Sequence, residues 1–159
     1  MIDHQAAARD AKRLLDVTGM SGRKPVLLIG DECDRRVTLE ALSKLVGVAS
    51  INLNVALSEA LIDTASTHAD VGAIVASLEQ SSPILLLDRI QILMLPHLRA
   101  NATDVLCRVA RRRAVCASWP GRLDQGRLRY ADPDHPECLD EEASRALVID
   151  LSTNEGKDR

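Results

Sequence analysis

Val26-Leu27-Leu28-Ile29-Gly30 and Ile84-Leu85-Leu86-Leu87-Asp88 decide the fold: each is a short, unbroken apolar run introduced by a proline, Pro25 or Pro83. Apolar runs without alternation, too short for a helix, are the pattern of strands buried on both faces of a parallel sheet. Outward from them, Ala6–Asp16 reads as an alanine-rich helix. Thr38–Leu45 reads as a second, with Leu39, Leu42 and Leu45 on one stripe and Gly47 as its C-terminal cap. A strand is expected over Val48–Leu53, a helix over Val55–Ile62, and a polar link around Ser66-Thr67-His68. An amphipathic segment then carries Val71, Ile74, Val75 and Leu78. Ala102–Arg112 is a further helix and Ala114–Ser118 a fourth strand. Strands alternating with helices predict an α/β architecture, a parallel sheet flanked by helices.

The remainder differs in kind. A hairpin is expected over Leu123–Tyr130, a rigid loop at Asp132-Pro133-Asp134-His135-Pro136, a short helix near Glu141–Ala146 and an edge strand at Leu147–Leu151. The chain thus divides into an N-terminal helix and connector (1–24), an α/β core (25–122), a β-containing extension (123–151) and a tail (152–159) with no apolar residue to dock it.

Composition narrows the function. Of 159 residues 46% are apolar but only 1% aromatic: one Trp, one Tyr and no Phe. Such a chain buries an aliphatic core without staples and lacks the rings on which single-stranded nucleic acids stack. Its net charge of −3 gives no global attraction to DNA or to an anionic membrane. Cys33, Cys107, Cys116 and Cys138 form no C-x-x-C pair, and Met1–Asp10 has no secretory apolar region. The most apolar stretch, Ile84–Leu98, is broken by Asp88, Arg89, Pro96 and His97, so no membrane helix is expected. These features predict a cytoplasmic protein with reduced thiols.

A strand ending in Gly30 and another ending in Asp88 resemble the scaffold of P-loop nucleotide-binding proteins. There the first strand feeds a G-x-x-x-x-G-K-[ST] loop that cradles phosphates, and a later strand ends in an Asp on the Mg²⁺ side. Here the loop reads Gly30-Asp31-Glu32-Cys33-Asp34-Arg35-Arg36-Val37-Thr38. Arg35 replaces the second Gly, Arg36 the Lys and Val37 the Ser/Thr, with Thr38 one place late. Asp31, Glu32 and Asp34 stand where an anion would lie, and each like-charge pair about 4 Å apart repels by roughly 4 kcal/mol at an effective dielectric of 20. A retained nucleotide site would comprise Gly30, Arg35, Arg36, Val37, Thr38, Asp88 and Ser118, with ATP and Mg²⁺ as cofactors and Asp88 on the metal.

Four stretches together resemble the BrxF family, the small P-loop-containing component of type 3 BREX bacteriophage-exclusion systems. They are Asn52-Leu53-Asn54-Val55-Ala56-Leu57-Ser58, Leu85–Asp88, Arg111-Arg112-Arg113-Ala114-Val115-Cys116-Ala117-Ser118-Trp119-Pro120-Gly121, and Gly126-Arg127-Leu128-Arg129-Tyr130-Ala131-Asp132-Pro133-Asp134-His135-Pro136-Glu137. The resemblance covers residues 24 to 138 and implies a bacterial cytoplasmic anti-phage protein working beside a methyltransferase, a larger ATPase and a PglZ-type protein. The family's Gly-Lys-Thr or Gly-Lys-Ser loop is replaced here. The expectation is therefore a divergent member, with a degenerate loop, that serves as an assembly or regulatory subunit.

Two other readings stay open. One is an active ATPase with Ser118 as γ-phosphate sensor, although Arg89 follows Asp88 where a catalytic glutamate would stand. The other is a DNA-contacting subunit using Arg108, Arg111, Arg112 and Arg113, of which Arg108, Arg111 or Arg113 would also serve as an arginine finger in a homo-oligomer. Glu40, Glu59 and Glu79 read as solvated helix-face residues. Cys33 near a helix start has acidic neighbours that oppose a thiolate, and His135 with Cys138 lacks the second pair a zinc site needs.

Overall fold

The computed structural model describes residues 2–17, 23–63 and 70–152. The elements run α1 (His4–Val17), β1 (Val26–Ile29), α2 (Glu32–Val46), β2 (Ile51–Asn52), α3 (Leu53–Asp63), α4 (Val71–Ser77) and β3 (Ile84–Asp88). Two 3₁₀ turns (Ile90–Met94 and Pro96–Leu98) lead to α5 (Ala102–Ala110) and β4 (Ala114–Trp119). Then follow β5 (Arg122–Asp124), β6 (Arg127–Tyr130), β7 (Leu139–Glu142), a 3₁₀ turn (Ala143–Arg145) and β8 (Leu147–Asp150).

Five strands form one parallel sheet in the order β2-β3-β4-β1-β8. Side chains alternate across it with the period of two that strands impose. Val26, Leu28, Leu86, Ala114 and Cys116 face α1 and α2, packing on Ala8, Ala11, Leu15, Leu39 and Leu42. Leu27, Ile29, Leu85, Leu87, Val115 and Ala117 face the other way, onto Leu53 and Leu57 of α3, Val71 and Val75 of α4, and Val105, Leu106 and Val109 of α5. Both faces are covered, as unbroken apolar strands require. The arrangement is compatible with Rossmann-like and P-loop-like α/β folds. No helix among the described residues is long and apolar enough to cross a membrane.

Several elements differ from expectation. α2 begins at Glu32 rather than Thr38, with Glu32 and Asp34 in its first turn, where acids favour the helix dipole. β2 is only Ile51–Asn52, because the Asn52 side chain accepts from the Val55 N–H at 3.2 Å and so starts α3 at Leu53. The helix expected near Glu141–Ala146 is instead β7 followed by a 3₁₀ turn. There Asp140 faces Arg129 in register and bonds Arg127, and opposite charges across strands favour the sheet over the helix. The β5–β6 hairpin forms as expected, turning at Gln125 and Gly126 with φ of 50° and 76°, the type I′ signature. The polar link at 66–68 and the tail from 153 lie outside the described residues.

Trp119 is fully buried and Tyr130 packs against the same cluster, so both hold the extension to the core. Trp119 ends β4, the middle strand, so the β5–β6 hairpin lies at the carboxyl end of the sheet, while β8, also part of the extension, forms one edge of that sheet.

Candidate functional site

Ligands of open α/β sheets bind outside the carboxyl ends of the strands. Strand parity places Ser118 with Ala114 and Cys116, and Asp88 with Leu86, so both lie on the α2 face at that end. Only Gly30 and Asp31 link β1 to α2. The stretch compared above with a phosphate-binding loop is therefore helical from Glu32, and no extended run of backbone N–H groups remains to wrap a phosphate.

Arg35, one turn into α2, fills the space such a loop would enclose. Its Nε donates to the Gly30 carbonyl oxygen at 2.9 Å and its Nη1 to Ser118 Oγ at 2.7 Å. Both side chains are buried, Arg35 being 7% exposed and Ser118 2%. Burial pulls the Arg35 pKa below its ordinary value. Glu32, Asp88 and Asp31 push it back up, and Arg89 works with the burial. Charge-assisted bonds of this kind contribute about 1.5–3 kcal/mol each.

A second contact closes the rim: Arg89 Nη1 meets Glu32 Oε1 at 2.9 Å, joining the end of β3 to the start of α2. Asp88 turns its Oδ1 back to accept from the Arg89 N–H at 2.9 Å, with Arg89 in the left-handed region at φ 55°. On the α1 side, His4 Nε2 reaches Asp34 Oδ1 at 2.9 Å.

Of the residues expected at a nucleotide site, Gly30, Arg35 and Ser118 are bonded together, and Asp88 is near enough to act on the Arg35 charge. Arg36 and Val37 are exposed, on a different side of α2 from the buried Arg35 and Thr38. Thr38 is fully buried, its hydroxyl without a partner among the described residues. Gly30 has its own explanation: at φ +148° a Cβ there would lie 2.8 Å from Leu151 Cβ. A guanidinium in place of a cradle and carboxylates around its mouth do not fit a nucleotide phosphate with Mg²⁺. No group of three or more potential ligands that could hold a metal ion occurs among the described residues. His135 Nδ1 instead accepts the Glu137 N–H at 3.1 Å.

The arginine cluster divides. Arg113 is buried and donates to the carbonyls of Ala76, Leu78, Glu79 and Ser82, closing the end of α4 rather than facing a partner. Arg108 is exposed but forks onto Asp70, at 2.8 and 3.0 Å, and holds that carboxyl below its usual range. Arg111 and Arg112 are exposed and form no ion pair among the described residues.

Sequence reasoning passed over the Arg89–Glu32 pair. The two residues lie far apart in the chain, and only the sheet order brings the ends of β1 and β3 within reach of each other. Searches against family models, curated proteins and solved structures give no match for this chain.

Proposed function

We propose that this chain is a nucleotide-independent assembly or regulatory subunit of a bacterial anti-phage defence system of the type 3 BREX kind. The observation that carries the nucleotide independence is the Arg35 guanidinium, bonded to Gly30 and Ser118 where a phosphate would have to lie. The defence role rests on the resemblance of the Trp119-Pro120-Gly121 and Tyr130–Glu137 stretches, which form the end of β4, the end of β6 and the loop after it.

Titration calorimetry with ATP and Mg²⁺ tests the first part: no binding is expected, and micromolar binding would restore the ATPase reading. Co-purification with the methyltransferase, larger ATPase and PglZ-type protein tests the second. A chain that captures none of them in the presence of the complete system is not its subunit.

Arg111 and Arg112 favour DNA backbone contact as a second reading, since both are exposed and unpaired among the described residues. Neutralising both would then lower duplex affinity and reduce the salt slope by about one unit per lost phosphate contact.

A further inference from the structure

We infer that the crevice at the carboxyl ends of β1 and β4 is a guanidinium site, which the chain fills with its own Arg35. The inference rests on the proposal above and sharpens it by naming the ligand class that the crevice accepts, a planar cation. Its two polar walls are oxygens. The Gly30 carbonyl and the Ser118 hydroxyl accept from two different nitrogens of one guanidinium, at 2.9 and 2.7 Å. Asp31, Glu32 and Asp88 bring negative charge to it, and Arg89, the cation that acts against it among the described residues, is paired with Glu32.

Shape points the same way. A guanidinium offers donors in a fixed planar fork and is weakly hydrated, so it can be buried while bonded in two directions. An ammonium is a compact, strongly hydrated point charge and does neither as well. A phosphate entering the emptied crevice would face the Gly30 carbonyl oxygen and the negative charge of Asp31, Glu32 and Asp88. Removing the Arg35 side chain should therefore leave a cavity that takes up free guanidinium.

The test follows the thermal midpoint of Arg35→Ala as guanidinium or methylguanidinium chloride is added well below denaturing concentrations, with sodium chloride as the ionic control. The variant is expected to melt about 5–10 °C below the parent chain. Both guanidinium salts should recover part of that loss with saturation. Sodium chloride should not, the parent chain should show no rise, and Arg35→Ala/Ser118→Ala should lose the recovery. No saturable recovery, or recovery by phosphate or ATP instead, overturns the inference.

Should Arg35→Ala fail to fold, proton exchange at Arg35 Nε–H in the parent chain decides the matter. Exchange much slower than at exposed Arg36 is expected, and equal rates would refute a buried, bonded guanidinium. A parent chain that binds no ATP beside a variant blind to guanidinium defeats this inference alone. ATP binding by the parent chain defeats the proposal on which it rests.

Discussion

Gly121 and Arg129 cross so closely that a side-chain carbon at position 121 would overlap the Arg129 carbonyl oxygen and lie 2.9 Å from Trp119 Nε1. Backbone cannot yield as the tip of a flexible side chain can, so Gly121→Ala must push the β5–β6 hairpin away from the end of β4. A cost of about 3 kcal/mol is expected, at the upper end for overpacking. Trp119 is the only tryptophan and is fully buried. Its emission should shift to the red and the urea midpoint should fall; a variant with parental emission and midpoint would contradict the crossing.

Gly30→Ala meets two separate penalties, a φ of +148° and the Leu151 Cβ at 2.8 Å. Backbone strain of this kind costs about 1–3 kcal/mol. Adding Leu151→Ala does nothing for the strain and leaves the Leu151 Cβ in place, so the double variant should be no more stable than Gly30→Ala. Urea unfolding of the two variants checks this, and a stabilising second substitution would locate the conflict in the leucine's outer atoms instead.

Arg113→Met should destabilise the chain by about 1–3 kcal/mol, because it leaves partly buried carbonyls at and just beyond the end of α4 without their charged donor. Arg113→Lys should recover only a fraction, since one ammonium cannot reach the span from Ala76 to Ser82 as the guanidinium does. Denaturant titrations of both variants decide it. Equal stability of all three chains would show that the carbonyls are satisfied otherwise.

Cys116, in the middle of the sheet, has its thiol pushed up to about 12 by burial. The folded state therefore keeps a proton that the unfolded state releases near its ordinary pKa of about 8.5. Stability unaffected by this group at neutral pH should fall as pH rises from about 9 toward 12, by up to roughly 1.4 kcal/mol per unit. Cys116→Ala should flatten that alkaline slope. In native protein a thiol reagent should label exposed Cys33 and Cys138 first and half-buried Cys107 more slowly, reaching Cys116 only with unfolding. Rapid labelling of all four would place Cys116 outside the core.

The architecture was legible where one local pattern sufficed. Val26–Ile29, Ile84–Asp88 and Ala114–Trp119 are apolar because both faces are covered, so their runs announced strands and their alternation with helices announced the parallel sheet. Element ends were less legible. Asp31 and Glu32 looked like loop residues beside Gly30, although acids at that position equally suit the first turn of a helix. Leu139–Glu142 has helix-forming acids, and only the facing Arg127 and Arg129, supplied by another strand, make it β7. The same limit applied to the site. Arg35 was conspicuous as a replacement for glycine, but its bond to Ser118 spans 83 residues of chain and depends on β1 and β4 lying side by side.

The position of β8 bears on how the molecule comes into being. β1 has Leu147–Asp150 as its second neighbour, so one of its edges stays unpaired until synthesis has passed residue 150. Pairings this distant in sequence close slowly, and an unpaired strand edge invites association with other chains. Nascent chains stalled before residue 147 should therefore be the aggregation-prone species and the natural clients of chaperones. Pairing of β8 then covers that edge of β1 and takes its place as the border of the sheet.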